Sequence, residues 1–200
     1  FRNIGGERLQ NVTQLAGIDE WGFGQGIAVS DVDADGFADV IVANIGHHQL
    51  WLNQGDGTFR NGGQLTNDGV WNTSVGAADL SGDGLPDLYC VRYLAGHDVF
   101  TKTCPDSEGH PHSCLPQRFP AAADLILINS GDGSFIDVSA DMSLKDETGK
   151  GMGVVIGRLA DEGEMSIFVA NDTTPNFFWT LNRSENRTQL LDVALVNGTA

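Results

Sequence analysis

The sequence predicts an all-β fold built from one repeated unit of four antiparallel strands, and three observations predict it. Residues 26–44, 74–92 and 153–171 each read as an apolar run, a Gly/Asp turn and a second apolar run. A second element follows each copy: LWLNQGDGTFRN at 50–61, DLILINSGDGSFIDVS at 124–139 and FFWTLNRSENRTQLLDVA at 177–194. The apolar runs at 40–43, 125–128 and 167–170 are too short and too β-branched for helices.

Each unit is read as strands A to D. An acidic loop joins A to B, and a Gly-Asp-Gly turn joins C to D, because Gly tolerates positive φ and Asp bonds its own backbone. The opening FRNIGGERLQNVT resembles the tail of one more copy. The expected organisation is 1–17 as the end of a preceding unit, then units at 22–61, 73–139 and 150–194. That is about three and a half four-stranded sheets, and such sheets repeated in sequence mark a β-propeller. Repeats that cannot bury both faces alone need neighbours. Missing blades, or further copies of the chain closing a ring, are therefore expected partners. An insertion at 94–120, rich in Pro, His, Cys and Gly, breaks the period and falls on one face, where insertions build binding surfaces.

Charge narrows the function. The chain carries 27 acidic against 11 basic residues, a net charge of −16. Nucleic-acid binding rests on Lys and Arg, so it is not expected. No run of 18 or more apolar residues exists, so membrane insertion by a helix is not expected either. An acidic surplus suits hard cations that take oxygen ligands.

Asp31, Asp33, Asp35 and Asp39 stand at positions 1, 3, 5 and 9 of a loop with Gly36 at its sharp turn. Alternate residues of a tight loop point inward, so these carboxylates and the Phe37 carbonyl converge and predict a Ca²⁺ site. The loop is not an EF-hand: position 12 is Val42, and Asp39 supplies the closing carboxylate. The competing reading is a polar turn whose Asp side chains cap backbone amides. A second site is expected at Asp79, Ser81, Asp83, the Leu85 carbonyl and Asp87, weaker because Ser81 removes one charge. The third copy places Arg158, Ala160, Glu162 and Ser166 at these positions. It is expected to be empty of calcium, with Arg158 replacing the ion and pairing with Glu162 or a nearby acid.

These residues resemble the FG-GAP/VCBS repeat family, the blade type of integrin α-subunit propellers. Phe23 to Ala28 is similar to that family's Phe-Gly stretch without its proline, and the Asp31 and Asp79 loops to its calcium loops. Residues 52–59 and 169–176 resemble secreted proteins of the cartilage acidic protein (ASPIC) type. The resemblance implies a seven-bladed, extracytoplasmic propeller holding calcium in its blade loops. It leaves function open, since the family includes adhesion proteins, lectin-like modules and non-catalytic parts of secreted enzymes.

Cys104 and Cys114 are expected to form a disulfide across their loop. The alternative is zinc held by Cys104, His110, His112 and Cys114, at a spacing that matches no standard pattern. Cys90 reads as a buried thiol, His47 and His48 as a solvated turn, and Trp21, Trp51, Trp71 and Trp179 as packing between blades. The glycines at 22, 24 and 26, and at 149, 151 and 153, read as close backbone packing, because GxGxG before a strand is no dinucleotide fingerprint. No GxSxG or HExxH motif occurs, so an enzyme is not expected. The expected function is a calcium-stabilised, extracytoplasmic binding, adhesion or scaffold module for a protein or glycan. The alternative is the substrate-binding or non-catalytic propeller portion of a secreted polysaccharide-acting enzyme.

Overall fold

A computed structural model describes residues 1–19, 21–144, 146–159, 165–184 and 187–199. The chain opens with a short hairpin, β1 (Arg2–Asn3) and β2 (Leu9–Gln10). Strand β3 (Gly24–Ser30) runs into the first acidic loop and out into β4 (Asp39–Asn53), with Val29 opposite Val40. Strand β4 is too long to be straight. At about 3.3 Å per residue, fourteen residues would separate Asp39 from Asn53 by roughly 46 Å. Yet the Asn53 backbone N–H donates to Asp39 Oδ1 at 2.8 Å. The run therefore folds back on itself at Gly46, whose φ of +94° suits glycine alone among ordinary residues.

Strand β5 (Phe59–Ala78) serves two units. Its first part pairs back along β4 from Asn53↔Phe59 to Ile45↔Trp71, and its last part pairs with β6 (Asp87–Arg92). The insertion holds a hairpin of β7 (Thr103–Pro105) and β8 (Pro111–Ser113), a 3-10 turn at Pro116–Arg118 and β9 (Ala122–Ala123). Strands β10 (Leu125–Asn129) and β11 (Phe135–Asp137) complete the second sheet. After β12 (Thr148–Gly149), which pairs with β9, come β13 (Gly151–Gly157), β14 (Ser166–Asn171), β15 (Phe177–Ser184) and β16 (Arg187–Asp192). These last four form an antiparallel sheet in chain order, followed by the one-turn helix α1 (Ala194–Asn197). Because β5 is shared, the first two units form one hydrogen-bonded order, β3-β4-β5-β6-β10-β11.

The fold is all-β, of four-stranded antiparallel blades stacked face to face. Strand β6 shows why. All six of its residues are buried, and alternate side chains serve opposite interfaces. Leu88 and Cys90 pack with Ile41, Ala43, Leu50 and Leu52 of the first blade. Tyr89 and Val91 pack with Ile167, Val169, Phe177 and Trp179 of the third. Each such large apolar side chain contributes about 1.5–3 kcal/mol on burial. The Gly-Asp-Gly turns close identically, with Gln54 N–H on Thr58 O and Ser130 N–H on Ser134 O, both at 2.9 Å.

First strands of neighbouring blades lie backbone to backbone. A Cβ on Gly26 would meet Thr73 O at 2.7 Å, and Thr73 Oγ1 donates to Gly151 O at 2.7 Å. Close backbone approach thus accounts for Gly26 and, through Arg92 O at 3.0 Å, for Gly151, whereas a Cβ on Gly153 would meet nothing within 4 Å. Two expectations need correction. Trp21 is 86% exposed rather than packed between blades, and Trp71 packs against the insertion. His48 is fully buried rather than solvated, because the fold-back at Gly46 tucks it under β5, where its Nδ1 meets Thr66 Oγ1 at 2.9 Å.

The N-terminal segment repeats a conformation found later. After β11, Met142 N–H donates to Val138 O, Ser143 N–H to Ala140 O and Leu144 N–H to Ser139 O. After β2, Ala16, Gly17 and Ile18 donate to Val12, Gln14 and Thr13 at the same offsets. Ser139 and Thr13 likewise each bond the Asx residue two places earlier, through both backbone N–H and hydroxyl.

Candidate metal centre

The first acidic loop is shaped by its own side chains. Asp31 accepts from the backbone N–H groups of Asp35 and Gly36 at 3.1 and 2.9 Å, and Asp35 from that of Phe37 at 2.8 Å. Such Asx-type bonds make a tight turn without a ladder, and Gly36 takes φ +89° at its apex. Asp39 closes the loop from the start of β4. It is fully buried, accepting from Val32 N–H at 2.9 Å and Asn53 N–H at 2.8 Å.

One carboxylate oxygen each from Asp31, Asp33 and Asp39 lies within 4.8 Å of the other two. Burial, followed by the charges of Asp33 and Asp35, pushes the Asp39 carboxyl above its usual range despite its two backbone donors. Among the described residues, Asp33 Oδ1 is buried with no hydrogen-bond partner, and its Oδ2 meets the Arg60 guanidinium at 3.9 Å. An orphaned carboxylate oxygen beside two more carboxylates fits a cation with several oxygen ligands. Asp35 stands outside the converging group.

The second loop has the same skeleton. Asp79 accepts from Gly82 and Gly84 N–H, Asp83 from Leu85 N–H, and Asp87 from the N–H groups of Leu80, Ser81 and Asn129 at 2.9, 2.7 and 2.9 Å. Asp79, Asp83 and Asp87 nevertheless make no converging trio like the first. In the third loop Glu162 and Ala160 lie outside the described residues, so the expected Arg158 pairing lies outside them too.

The opposite ends of the B strands carry a different chemistry. Asp124 is buried and accepts from Tyr89 Oη at 2.8 Å and Arg92 N–H at 2.7 Å. Trp179 Nε1–H donates to the same Tyr89 oxygen at 2.9 Å, so three polar groups from two blades satisfy one another inside the core. Burial raises the Asp124 carboxyl to about 7. Burial, helped by Arg92 and His47, lowers His48 to about 3. Arg92 itself pairs with Asp68.

Cys104 and Cys114 are bonded to each other across the β7–β8 hairpin, so neither is a free thiolate for zinc. Cys90 is a buried free thiol raised far above its usual range by burial. Among the described residues, no helix is long and apolar enough to cross a membrane.

Residues 31–90 match the FG-GAP-like repeat family. That span begins at the first acidic loop and ends within β6, after the second, so it holds both loops and the shared strand between them. No curated protein matches the chain. Among solved structures, a lectin of Agrocybe aegerita, described as recognising non-reducing terminal N-acetylglucosamine, is 13% identical over 86% of this chain and 54% of its own, with a TM-score of 0.29. The chain thus spans about half of that lectin, and a likeness at that TM-score carries no argument about fold or ligand.

Proposed function

We propose that this chain is a calcium-stabilised, extracytoplasmic binding or scaffold module that presents a face to a protein or glycan. The observation that supports it most is the convergence of Asp31, Asp33 and Asp39 around an unpartnered Asp33 oxygen. Ca²⁺ would be held by those three, with Asp35 and the Phe37 carbonyl as further donors, and by Asp79, Ser81, Asp83, the Leu85 carbonyl and Asp87 in the second loop. Its role is structural: it neutralises carboxylates at the joint between strands A and B. The disulfide in the insertion agrees with an oxidising compartment. Calorimetry with and without chelator tests this. Chelation is expected to lower Tm and readded calcium to restore it; an unchanged Tm would remove calcium from the account.

The module is further proposed to be a segment of a larger ring. Val75, and Val154 with Ile156, pack against the preceding blade. Their counterpart Ile27 is 66% exposed, and Val29 beside it is 59% exposed. That face, together with the repeated turn after β2, is the seat of a blade preceding 22–61. Light scattering of this chain alone is expected to show self-association, reversed by Ile27→Lys; a monomer whose stability Ile27→Lys leaves unchanged would count against the seat.

A further inference from the structure

We propose that the insertion builds a small-molecule site, and that its ligand is a carboxylate-bearing ring compound. Above the end of β6 lies a cavity of about 370 Å³, within the range of small-molecule sites and large enough for one ring. Its walls include Trp71, Tyr93, Phe100 and Phe119, and Trp71 has its ring centroid 5.4 Å from that of Tyr93 and 5.4 Å from that of Phe100. Flat aromatic walls take a flat apolar face.

The polar groups of the cavity are unusual for this chain. With 27 acidic residues against 11 basic overall, none of the described residues lining the cavity is acidic and one of them, Lys102, is a cation. Tyr93 Oη is spent, donating to Asp172 at 2.6 Å. The Trp71 indole N–H is buried in the wall and has no hydrogen-bond partner among the described residues. Lys102 Nζ lies 5.4 Å from the centre of the Phe119 ring and 3.2 Å from Asp98. An ammonium has three donors, and an exposed pair such as Lys102–Asp98 binds weakly, so donors remain for a ligand. The cavity thus sets a cation beside an aromatic wall, which calls for an anionic group carried on a ring. The disulfide fixes the rim, since Cys114 lines the cavity.

Two sources share this chemistry: an acidic sugar such as a uronic acid, and an aryl carboxylate. The inference deepens the binding-module reading and rests on it only for the premise that a ligand exists. The acidic loop that would hold calcium lies at the far end of β6, so each reading can fail alone.

The test is titration of the full chain, in calcium and in chelator, with methyl glucuronide, methyl glucoside, benzoate and benzyl alcohol, followed by tryptophan emission and calorimetry. Each carboxylate is expected to bind at least about tenfold more tightly than its neutral counterpart. The tighter of glucuronide and benzoate identifies the source. Lys102→Gln, at an exposed position that leaves folding intact, is expected to erase the carboxylate preference. Trp71→Phe is expected to weaken the ligands while keeping a ring wall. Equal binding of charged and neutral ligands, an unchanged preference in Lys102→Gln, or no saturation below ~10 mM would overturn the proposal. Saturable carboxylate binding with chelator-insensitive stability would refute the calcium reading and leave this one standing.

Discussion

The two acidic loops, 31–39 and 79–87, share a skeleton and differ in what the skeleton gathers. In both, the first Asp wraps the turn's amides and the ninth-position Asp is a buried bracket. Asp39 ties Val32 to Asn53, and Asp87 ties Leu80 and Ser81 to Asn129. The bracket even crosses blades, because Asn129 Nδ2 donates to Val32 O at 2.8 Å. The third position separates them. Asp33 places a carboxylate oxygen with no partner beside Asp31 and Asp39, whereas Ser81 places a hydroxyl that accepts weakly from Asp83 N–H at 3.4 Å. The ninth-position Asp therefore belongs first to the fold, and under the proposed calcium role the third-position residue is the one that would set a loop's affinity.

The largest effect should be the one the loops share. Asp39→Ala and Asp87→Ala each strand at least two buried or part-buried backbone donors, at about 1.5–3 kcal/mol for each bond to a charged group. Each is expected to cost roughly 3–6 kcal/mol in urea unfolding measured in chelator, where metal contributes nothing. A large loss in one and none in the other would break the parallel.

A second contrast lies at the other end of the B strands, where His48 and Asp124 each stand five residues before the Asn that meets the bracket. His48, held at about 3 against an ordinary 6.5, makes stability rise with pH up to 6.5, because the unfolded chain binds the proton the folded one refuses. Asp124, held at about 7 against 3.8, does the reverse: the folded chain keeps a proton that the unfolded one has lost, so stability falls between those values and is flat above. Asp124→Asn is expected to remove a falling limb on the order of 4 kcal/mol and leave a net rise toward pH 6.5. In the original chain the two slopes nearly cancel between about pH 4 and 6.5, so a variant that stays equally flat in urea unfolding from about pH 4 to 8 would assign the falling contribution elsewhere.

A smaller effect sharpens the loop comparison. Ser81→Asp is expected to strengthen the second loop's calcium affinity about tenfold, or about 1.4 kcal/mol. Calcium titration of the variant checks it, and an unchanged second affinity would deny the third position its role.

Much of this was legible in the sequence, and the parts that were not share a cause. The loops, the Gly-Asp-Gly turns and the glycines of the first strands follow local rules of φ, spacing and backbone approach, so their patterns were readable. The burial of His48 depends on the fold-back at Gly46 and on Thr66, eighteen residues away. The Trp179–Tyr89–Asp124 network joins residues 90 and 35 positions apart. The insertion's aromatic cavity uses Trp71 from the strand before β6 and Phe119 from beyond the disulfide. No local period encodes such pairings. Even within the acidic loops the motif could not show that Asp35 turns to Phe37 N–H while Asp33 Oδ1 stays without a hydrogen-bond partner among the described residues.

The most direct measurement is calorimetric calcium titration of the chain beside Asp33→Ser, which gives the first loop the second loop's residue at that position. The account predicts two graded affinities in the original chain, the tighter one falling about tenfold to merge with the weaker in Asp33→Ser. Identical isotherms for the two proteins, or no calcium heat in either, would contradict it.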